Sequence, residues 1–258
     1  MMKNRETIEF SFWEAGCLIW VGAKDLGGLS YHEICQLIWG GSLEKIKTTI
    51  FEKKIFLPMN LYQDDGYRMR VVMGELNTQE AEEWVARVRW KLNLACGQMV
   101  VSGIADDDED EFINMPAATD KNPDALQCYV EVTPGEYQVE IYSYPPGDLS
   151  TGWGQITDPS LFPPQAGIEP ESVTDYFFRT RPQEEAPPWI AYEITNDQQK
   201  QSEYYQAAVD ADYVNFVVRL SPVIDDLPTP ILESDGCVAW EFRKPEKCPL
   251  GIVGKKDE

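Results

Sequence analysis

The sequence predicts an α+β protein, mainly antiparallel β-sheet with a sandwich-like arrangement and a few helices. Alternation of apolar and polar residues recurs along the chain, as in Tyr137, Val139 and Ile141, and such alternation is typical of half-buried strands. Helical spacing occurs in only a few segments. Hydrophobic residues make up 43% of the 258 residues, which is enough for a core and excludes wholesale disorder.

The first elements are strands followed by a short helix. Ile8, Phe10 and Phe12 alternate with polar residues, and the apolar run 17–21 continues the strand pattern, so we expect a hairpin around Glu14-Ala15-Gly16. Ser30-Tyr31-His32-Glu33 fits a capping box, which predicts a helix to Trp39 that Gly40-Gly41 stops. Residues 67–73 alternate again and predict another strand.

The longest helix is predicted at about 78–94. Asn77 or Thr78 caps it, and three glutamates suit its positive N-terminal end. The residues at helical spacing on one face are Ala81, Trp84, Val85, Val88 and Leu92, and we expect the last four to be buried. Arg87, Arg89 and Lys91 lie towards its negative end, and a strand through 99–101 follows.

The second half is predicted to be rich in strands. Residues 129–132 lead through Pro134-Gly135 into 137–142, and Pro-Gly suits the centre of a type II turn. This strand–turn–strand around Pro134-Gly135-Glu136-Tyr137 resembles turns in β-sandwich proteins such as a competence nuclease inhibitor and toxin-immunity proteins, and no activity or site is carried over from it. Further strands are expected through 214–220 and through Val238, Trp240 and Phe242, with a helix at 198–208.

Charge and proline divide the chain at the same place. Residues 1–105 carry 12 basic and 13 acidic side chains, whereas 106–258 carry 10 and 31; every proline except Pro58 follows residue 115. We therefore predict a near-neutral α+β half at 1–105, an acidic loop or linker at 106–124, and an acidic, Pro-rich, β-sandwich-like half at 125–258.

Composition also indicates which binding partners and which compartment to expect for the protein. No apolar stretch approaches the roughly 20 residues of a membrane span. A net charge of −22 argues against binding to nucleic acid or anionic membranes. We see no export signal, so we expect a cytoplasmic protein whose six cysteines are mostly buried, reduced thiols.

A search for catalytic, cofactor or metal sites yields no residue that we assign to any of them. The single histidine, His32, stands three residues before Cys35, too few ligands for a zinc site. The acidic run 106–111 fails the EF-hand pattern, because Glu111 replaces the glycine and Ala117 the final glutamate, although loose attraction of Ca²⁺ or Mg²⁺ stays open. Gly22–Gly28 lacks the order of a phosphate-binding loop.

Two functions remain from the residues alone. The first is a non-catalytic binding or regulatory protein whose acidic surface attracts a basic protein partner. The alternative is a carboxylate-dependent hydrolase, metal-assisted or directed at a sugar, which needs close acids with perturbed pKa values in a pocket. A set of aromatic residues offers either a ligand platform or a core beneath long loops: Trp153, Phe162, Tyr176, Phe177, Phe178, Trp189 and Tyr192.

Overall fold

The computed structural model describes residues 5–14, 16–62, 65–103, 126–146, 152–160, 162, 167–224 and 226–255. It confirms the α+β class: strands, in antiparallel and mixed sheets, account for about 33% and helices for about 30%. Helix is thus nearly as abundant as strand, more than the few helices expected. Within the described ranges, no helix has the length and apolar character that a membrane span requires.

The strands form three sheets. Their bounds are β1 (Glu6–Trp13), β2 (Leu18–Ala23), β3 (Phe56–Asn60), β4 (Gly66–Met73), β5 (Ala86–Leu94), β6 (Gln98–Ser102), β7 (Gln127–Glu131), β8 (Gly135–Ser143), β9 (Tyr213–Val214), β10 (Phe216–Pro222), β11 (Glu241–Phe242) and β12 (Ile252–Val253). A six-stranded sheet has the order β1-β4-β10-β8-β5-β11, a four-stranded sheet β3-β2-β6-β7, and β12 pairs with β9. The β1–β4 and β2–β3 pairs are antiparallel.

Seven α-helices lie among the described residues: α1 (Tyr31–Gly40), α2 (Leu43–Lys47), α3 (Thr78–Glu83), α4 (Trp153–Thr157), α5 (Val173–Thr180), α6 (Pro188–Ile194) and α7 (Gln198–Ala211). A 3₁₀ turn covers Leu26–Gly28 and a π-helix covers Thr48–Lys53. The capping box at Ser30 and Glu33 is confirmed, and so is the helix near 198–208, which extends to Ala211.

The predicted helix at 78–94 is wrong beyond its first turns. Asn77 does cap α3 with a capping box, but the helix ends at Glu83 and β5 follows. Along β5, burial alternates: Ala86, Val88, Trp90, Leu92 and Leu94 are buried and the residues between them are not. The positions of Val88 and Leu92 fit both the helical period of about 3.6 residues and the strand period of two, whereas those of Trp90 and Leu94 fit only the strand period. The four residues expected to be buried are buried.

The hairpin predicted around Gly16 is absent, and the two strands predicted on either side of Pro134-Gly135 are present as β7 and β8 but lie in different sheets. β1 pairs with β4, whereas β2 pairs with β3 and β6, so the segment near Gly16 connects two different sheets; Ala15 lies outside the described residues. β7 pairs with β6, and β8 belongs to the six-stranded sheet. Gly135 starts β8 and lacks the positive φ that a type II turn requires. The strand expected through Val238 and Phe242 is reduced to a bridge at Val238 and the two residues of β11.

The chain divides into two compact units. The first comprises Met1–Glu75, Val88–Ile141 and Val218–Trp240, and the second comprises Leu76–Arg87, Tyr142–Val217 and Glu241–Glu258. The predicted acidic linker at 106–124 lies outside the described residues, and the division into halves and the sandwich-like arrangement stay predictions.

The first unit has a core in which α1 packs on β2 and β3. Trp20 and Phe56 are fully buried and meet edge to face with ring centroids 6.3 Å apart. Tyr31 and Ile34 reach this core from α1, because their spacing of three places them on one helix face. This packing fixes α1 and the segment that follows it.

The second unit has an aromatic core built by its helices. Trp153 of α4 stacks on Tyr176 of α5 at 6.4 Å and meets Trp189 of α6 edge to face at 5.5 Å. The indole N–H of Trp189 donates to the carbonyl of Leu250 at 2.8 Å, so the buried ring leaves no unpaired donor. Of the seven aromatic residues that the sequence offered as a ligand platform or a core, five are buried, and Phe178 and Tyr192 are exposed.

Candidate protein interface

A pair of consecutive helices in the second unit, α6 and α7, presents the most distinctive surface. Pro188 begins α6, where its missing N–H costs nothing. Asp197 caps α7 by accepting from the backbone N–H groups of Gln199 and Lys200, and the carboxylate also suits the positive end of the helix. Local sequence thus sets where both helices begin.

Helix α7 is the longest helix described, yet none of its 14 residues is buried. Ala208 and Ala211 pack against the aromatic core of the unit, and these small side chains bury little area. Tyr205 and Val209 lie one turn apart on a stripe that faces away, and their exposed fractions are 60% and 55%. These two apolar side chains therefore face solvent, whereas Tyr204 is half-buried.

Tyr192 of α6 extends this stripe. Its exposed fraction is 39%, and its ring centroid lies 6.1 Å from that of Tyr205 in a tilted arrangement. Such contacts between aromatic rings hold both side chains in place. At about 100° per residue, Glu203 and Asp210 lie roughly a third of the way round α7 from Tyr205 and Val209, so these exposed acids form an adjoining flank of the helix. We call the surface formed by Tyr192, Tyr205 and Val209 together with this acidic flank the tyrosine–acid face.

The charge around this face is negative. Between residues 188 and 212 there are five exposed acidic side chains and one basic side chain, Lys200. Glu203 accepts a hydrogen bond from Gln199 at 3.3 Å, and Asp210 accepts one from Gln206 at 2.9 Å. These donors are neutral amides, which orient the carboxylates without cancelling their charge. The face therefore combines exposed apolar area with net negative charge.

Other carboxylates of the second unit are engaged by cations. Glu171 accepts from Arg179 at 2.6 Å and from Lys244 at 2.7 Å. The hydrogen bond from Arg179 and the charge of Lys244 lower the pKa of Glu171 to about 2. Glu83, which is 7% exposed, accepts from Arg181 at 3.2 Å and from the backbone N–H of Leu250 at 2.9 Å. These carboxylates stabilise the fold.

A shallow pocket of about 590 Å³ adjoins this ion pair, and it bears on the hydrolase alternative. Its lining includes Glu169, Arg179, Lys244 and Glu246. The ammonium of Lys244 donates to the carboxylate of Glu171 and also to the backbone carbonyl of Glu169, at 2.9 Å. A general acid needs a raised pKa, whereas that of the neighbouring Glu171 is lowered, so no observation here favours hydrolysis.

The only histidine and its neighbouring cysteine point in different directions. His32 is exposed and its Nε2 lies 2.7 Å from Nε2 of Gln36, whereas Cys35 is buried in the core of the first unit. All six cysteines are free, and burial raises the pKa of Cys128, Cys237 and Cys248 to about 12. Thiols with such values are poor nucleophiles at neutral pH.

The candidate metal run at 106–111 lies outside the described residues. Within the part of the chain that the structure describes, no three metal-ligating side chains of His, Cys, Asp or Glu gather in one place.

Three arginines of strands β4 and β5 pair with acids on neighbouring strands. Arg68 and Arg70 of β4 both donate to Glu9 of β1, at 3.2 and 2.7 Å, and all three side chains are below 10% exposed. Arg87 pairs with Glu241 at 2.7 Å on the neighbouring strand β11.

Sequence reasoning missed most of the tyrosine–acid face. Tyr192 was among the aromatic candidates, but Tyr205, Val209, Glu203 and Asp210 were not singled out. The available signal was the composition of α7, in which alanines occupy one face and Tyr205 and Val209 stand four residues apart on another.

Comparisons with known proteins give weak likenesses. No protein-family model matches the chain, and no curated protein matches it. The solved structure titled "Crocagin biosynthetic gene J" is similar with a TM-score of 0.41 and 9% identity, covering 86% of this chain and 100% of that one. ComJ from Bacillus subtilis, an inhibitor of the DNA degrading activity of NucA, is similar with a TM-score of 0.33 and 11% identity, covering 56% and 86%. Likenesses at these TM-scores support no inference about the function of this chain.

Proposed function

We propose that this protein is a non-catalytic binding protein that recognises a basic protein partner through the tyrosine–acid face. The observation that carries the proposal is the exposure of Tyr205 and Val209 on a helix that buries none of its residues. Exposed apolar surface costs free energy in water, and contiguous patches rimmed by polar groups mark interaction sites.

The chemistry of the face favours a partner with Lys or Arg beside apolar side chains. Tyrosine supplies a large contact area at a low cost in conformational entropy and is enriched among residues that dominate binding energy. Its ring also attracts a cation placed over it. Glu203 and Asp210 add charge complementarity on the adjoining flank of the same helix.

The charge of the whole chain acts on the rate of association. A net charge of −22 attracts a basic partner over a distance of roughly 8–10 Å at physiological ionic strength. Salt therefore weakens the association chiefly by slowing it, while the tyrosines determine how long the complex lasts.

The experiment uses a fluorescent amphipathic helical peptide of Leu, Lys and Arg, with binding followed by fluorescence anisotropy. The double variant Tyr192→Ser/Tyr205→Ser should weaken binding at least about tenfold, the effect of losing two contact residues worth about 1 kcal/mol each. The variant Glu203→Gln/Asp210→Asn should weaken it about threefold and reduce its salt dependence.

Matched controls lie away from the face. Ile231→Ser replaces an apolar residue that is 75% exposed in the first unit, and Glu82→Gln removes one exposed acid of α3. Both should leave peptide affinity unchanged. Equal weakening by control and test variants, or no weakening by the tyrosine variant, would contradict the proposal; turnover of a glycoside substrate by the wild-type chain would instead support the hydrolase alternative.

A further inference from the structure

The corner between α1 and α2, in the first unit, exposes large apolar side chains. Trp39, in the last turn of α1, is 56% exposed, and Leu43, the first residue of α2, is 41% exposed. Beside them lies an open groove of about 780 Å³, whose lining includes Leu29, Leu37 and Trp39. Because tryptophan side chains are highly buried on average, an exposed one beside an apolar groove indicates a contact surface.

The fold holds this groove in place. Leu29 and Leu37 also pack against the core of the unit. Another wall is the π-helix Thr48–Lys53, in which the carbonyl of Ile50 accepts a hydrogen bond from the indole N–H of Trp90 at 3.0 Å. A surface that is fixed in this way loses little conformational freedom when a partner binds to it.

Charges of both signs line the groove in equal number. Among the described residues of its lining, the acids are Glu33 and Glu44 and the bases are Lys45 and Lys53. Hydrogen bonds from Ser30 lower the pKa of Glu33, and the charge of Lys53 acts in the same direction, so this carboxylate is ionised at neutral pH. The four charges therefore sum to zero.

This balance contrasts with the charge of the rest of the chain. Residues 29–54 carry four lysines and three glutamates, whereas the whole chain has 22 basic and 44 acidic side chains. On the tyrosine–acid face, with five exposed acids against Lys200, two copies of the chain would repel each other. Two copies of the α1–α2 surface would not, and screening over about 8 Å at physiological ionic strength weakens the repulsion between more distant acids.

From these observations we propose that the α1–α2 surface binds a second copy of the chain and forms a two-fold dimer. In a two-fold interface the same patch of each copy meets the other, so one surface supplies both halves of the contact. The ring of Trp39 of each copy lies in the groove of the other, against Leu29 and Leu37. The acids of each copy face the lysines of the other, which a surface of balanced charge allows. No residue of this interface belongs to the tyrosine–acid face.

Sedimentation velocity of the purified full-length chain, over a wide range of concentrations, tests for the dimer. We expect a monomer at low concentration, a dimer at high concentration and no larger species, because a two-fold interface is closed. NMR spectra recorded over the same dilution series locate the contact. The amide and indole signals that shift on dilution should be concentrated at residues 29–53.

Two variants change the interface. Trp39→Ser removes the side chain that enters the groove and should weaken dimerisation at least about tenfold, the effect of losing one aromatic anchor in each copy. Since Trp39 is exposed, the monomer should keep its fold. Lys45→Glu/Lys53→Glu makes the groove acidic in both copies and should weaken dimerisation at least about tenfold at low salt and less at high salt.

Matched controls lie on other exposed surfaces. Ile231→Ser replaces an apolar residue that is 75% exposed in the same unit, and Tyr205→Ser replaces an exposed ring of the tyrosine–acid face. Lys200→Glu reverses the charge of an exposed lysine outside the groove. All three should leave the dimerisation constant unchanged.

The outcomes that overturn the proposal are specific. They are a monomer at every concentration, dilution shifts that lie outside residues 29–53, or a dimer that Trp39→Ser weakens no more than Tyr205→Ser does. If Trp39→Ser does not fold, the lysine variant and the dilution shifts still decide the question. Dimerisation without binding of the basic peptide would support this inference and contradict the proposed function, and peptide binding by a chain that stays monomeric would do the reverse.

Discussion

Aromatic rings and charged side chains meet in two regions of the second unit, with opposite exposure. Trp84 is 6% exposed and contacts two guanidinium groups, that of Arg243 at 3.7 Å and that of Arg87 at 4.6 Å from its ring centroid. Tyr205 is 60% exposed, and the helix that carries it has two exposed carboxylates, Glu203 and Asp210, on an adjoining flank, whose hydrogen-bond donors are neutral. The same kinds of group thus occur in a buried and in an exposed setting.

This difference in exposure distinguishes a region that stabilises the fold from a region that is available for binding. Around Trp84 every strong interaction is made within the protein: Arg243 donates to the carbonyls of Trp84 and Glu82, and Arg87 pairs with Glu241. On the tyrosine–acid face the rings and the charges remain accessible to a partner. Substitutions in the first region should therefore change the free energy of unfolding, and substitutions in the second should change affinity.

The largest expected effect is that of Trp84→Ala. It should lower the free energy of unfolding by about 4–5 kcal/mol, because it leaves a cavity and removes two cation–π contacts. Tyr205→Ala is the matched aromatic control and should change the same quantity by less than about 0.5 kcal/mol. Urea denaturation measures the free energy of unfolding of both variants. Similar losses would contradict the distinction between a stabilising region around Trp84 and a binding region around Tyr205.

The next largest loss of stability is expected on replacing Glu9, a carboxylate of the first unit. Glu9→Ala should cost about 3–4 kcal/mol, because it leaves the buried guanidinium groups of Arg68 and Arg70 without this charge. The matched exposed acid is Glu203, and Glu203→Gln should cost less than about 0.5 kcal/mol. A loss below about 1 kcal/mol for Glu9→Ala would show that the ion pairs of Glu9 contribute little to the free energy of unfolding.

A smaller effect depends on pH. The pKa of Glu171 is lowered from 4.5 to about 2 in the folded protein, so its contribution is present above pH 4.5 and is lost as the pH falls towards 2. Arg179 is 57% exposed, and solvent screening reduces the contribution to about 1 kcal/mol.

The measurement for this effect is the difference in free energy of unfolding between wild type and Glu171→Gln as a function of pH. The difference should be about 1 kcal/mol at pH 6 and should decline below pH 4.5. A difference that is constant between pH 6 and pH 3 would contradict the role of the ion pair with Arg179 and Lys244.

Local signals made much of the fold predictable. The capping boxes at Ser30 and Asn77 depend on residues three positions apart, and both helices begin where these boxes place them. The end of α3 was not predictable in the same way, because Val88 and Leu92 satisfy the helical and the strand period together. Sheet pairing is non-local: β1 pairs with β4 across more than 50 residues, and no turn signal near Gly16 reveals it.

The candidate site was less predictable than the fold. The count of acidic residues indicated a negative surface but not which acids are engaged, and Glu9, Glu83 and Glu171 turn out to be paired with cations inside the structure. Exposure of Tyr205 depends on which face of α7 packs on the aromatic core, and the core residues come from distant segments such as Trp153 and Trp189.

An NMR titration of the isotopically labelled chain with the amphipathic Leu/Lys/Arg peptide tests most directly whether the tyrosine–acid face is the surface that binds a basic partner. We predict saturable chemical-shift changes concentrated at Tyr192, Glu203, Tyr205 and Val209, with amides around Trp84 unchanged. Saturable binding whose shifts lie entirely outside α6 and α7 would contradict the account.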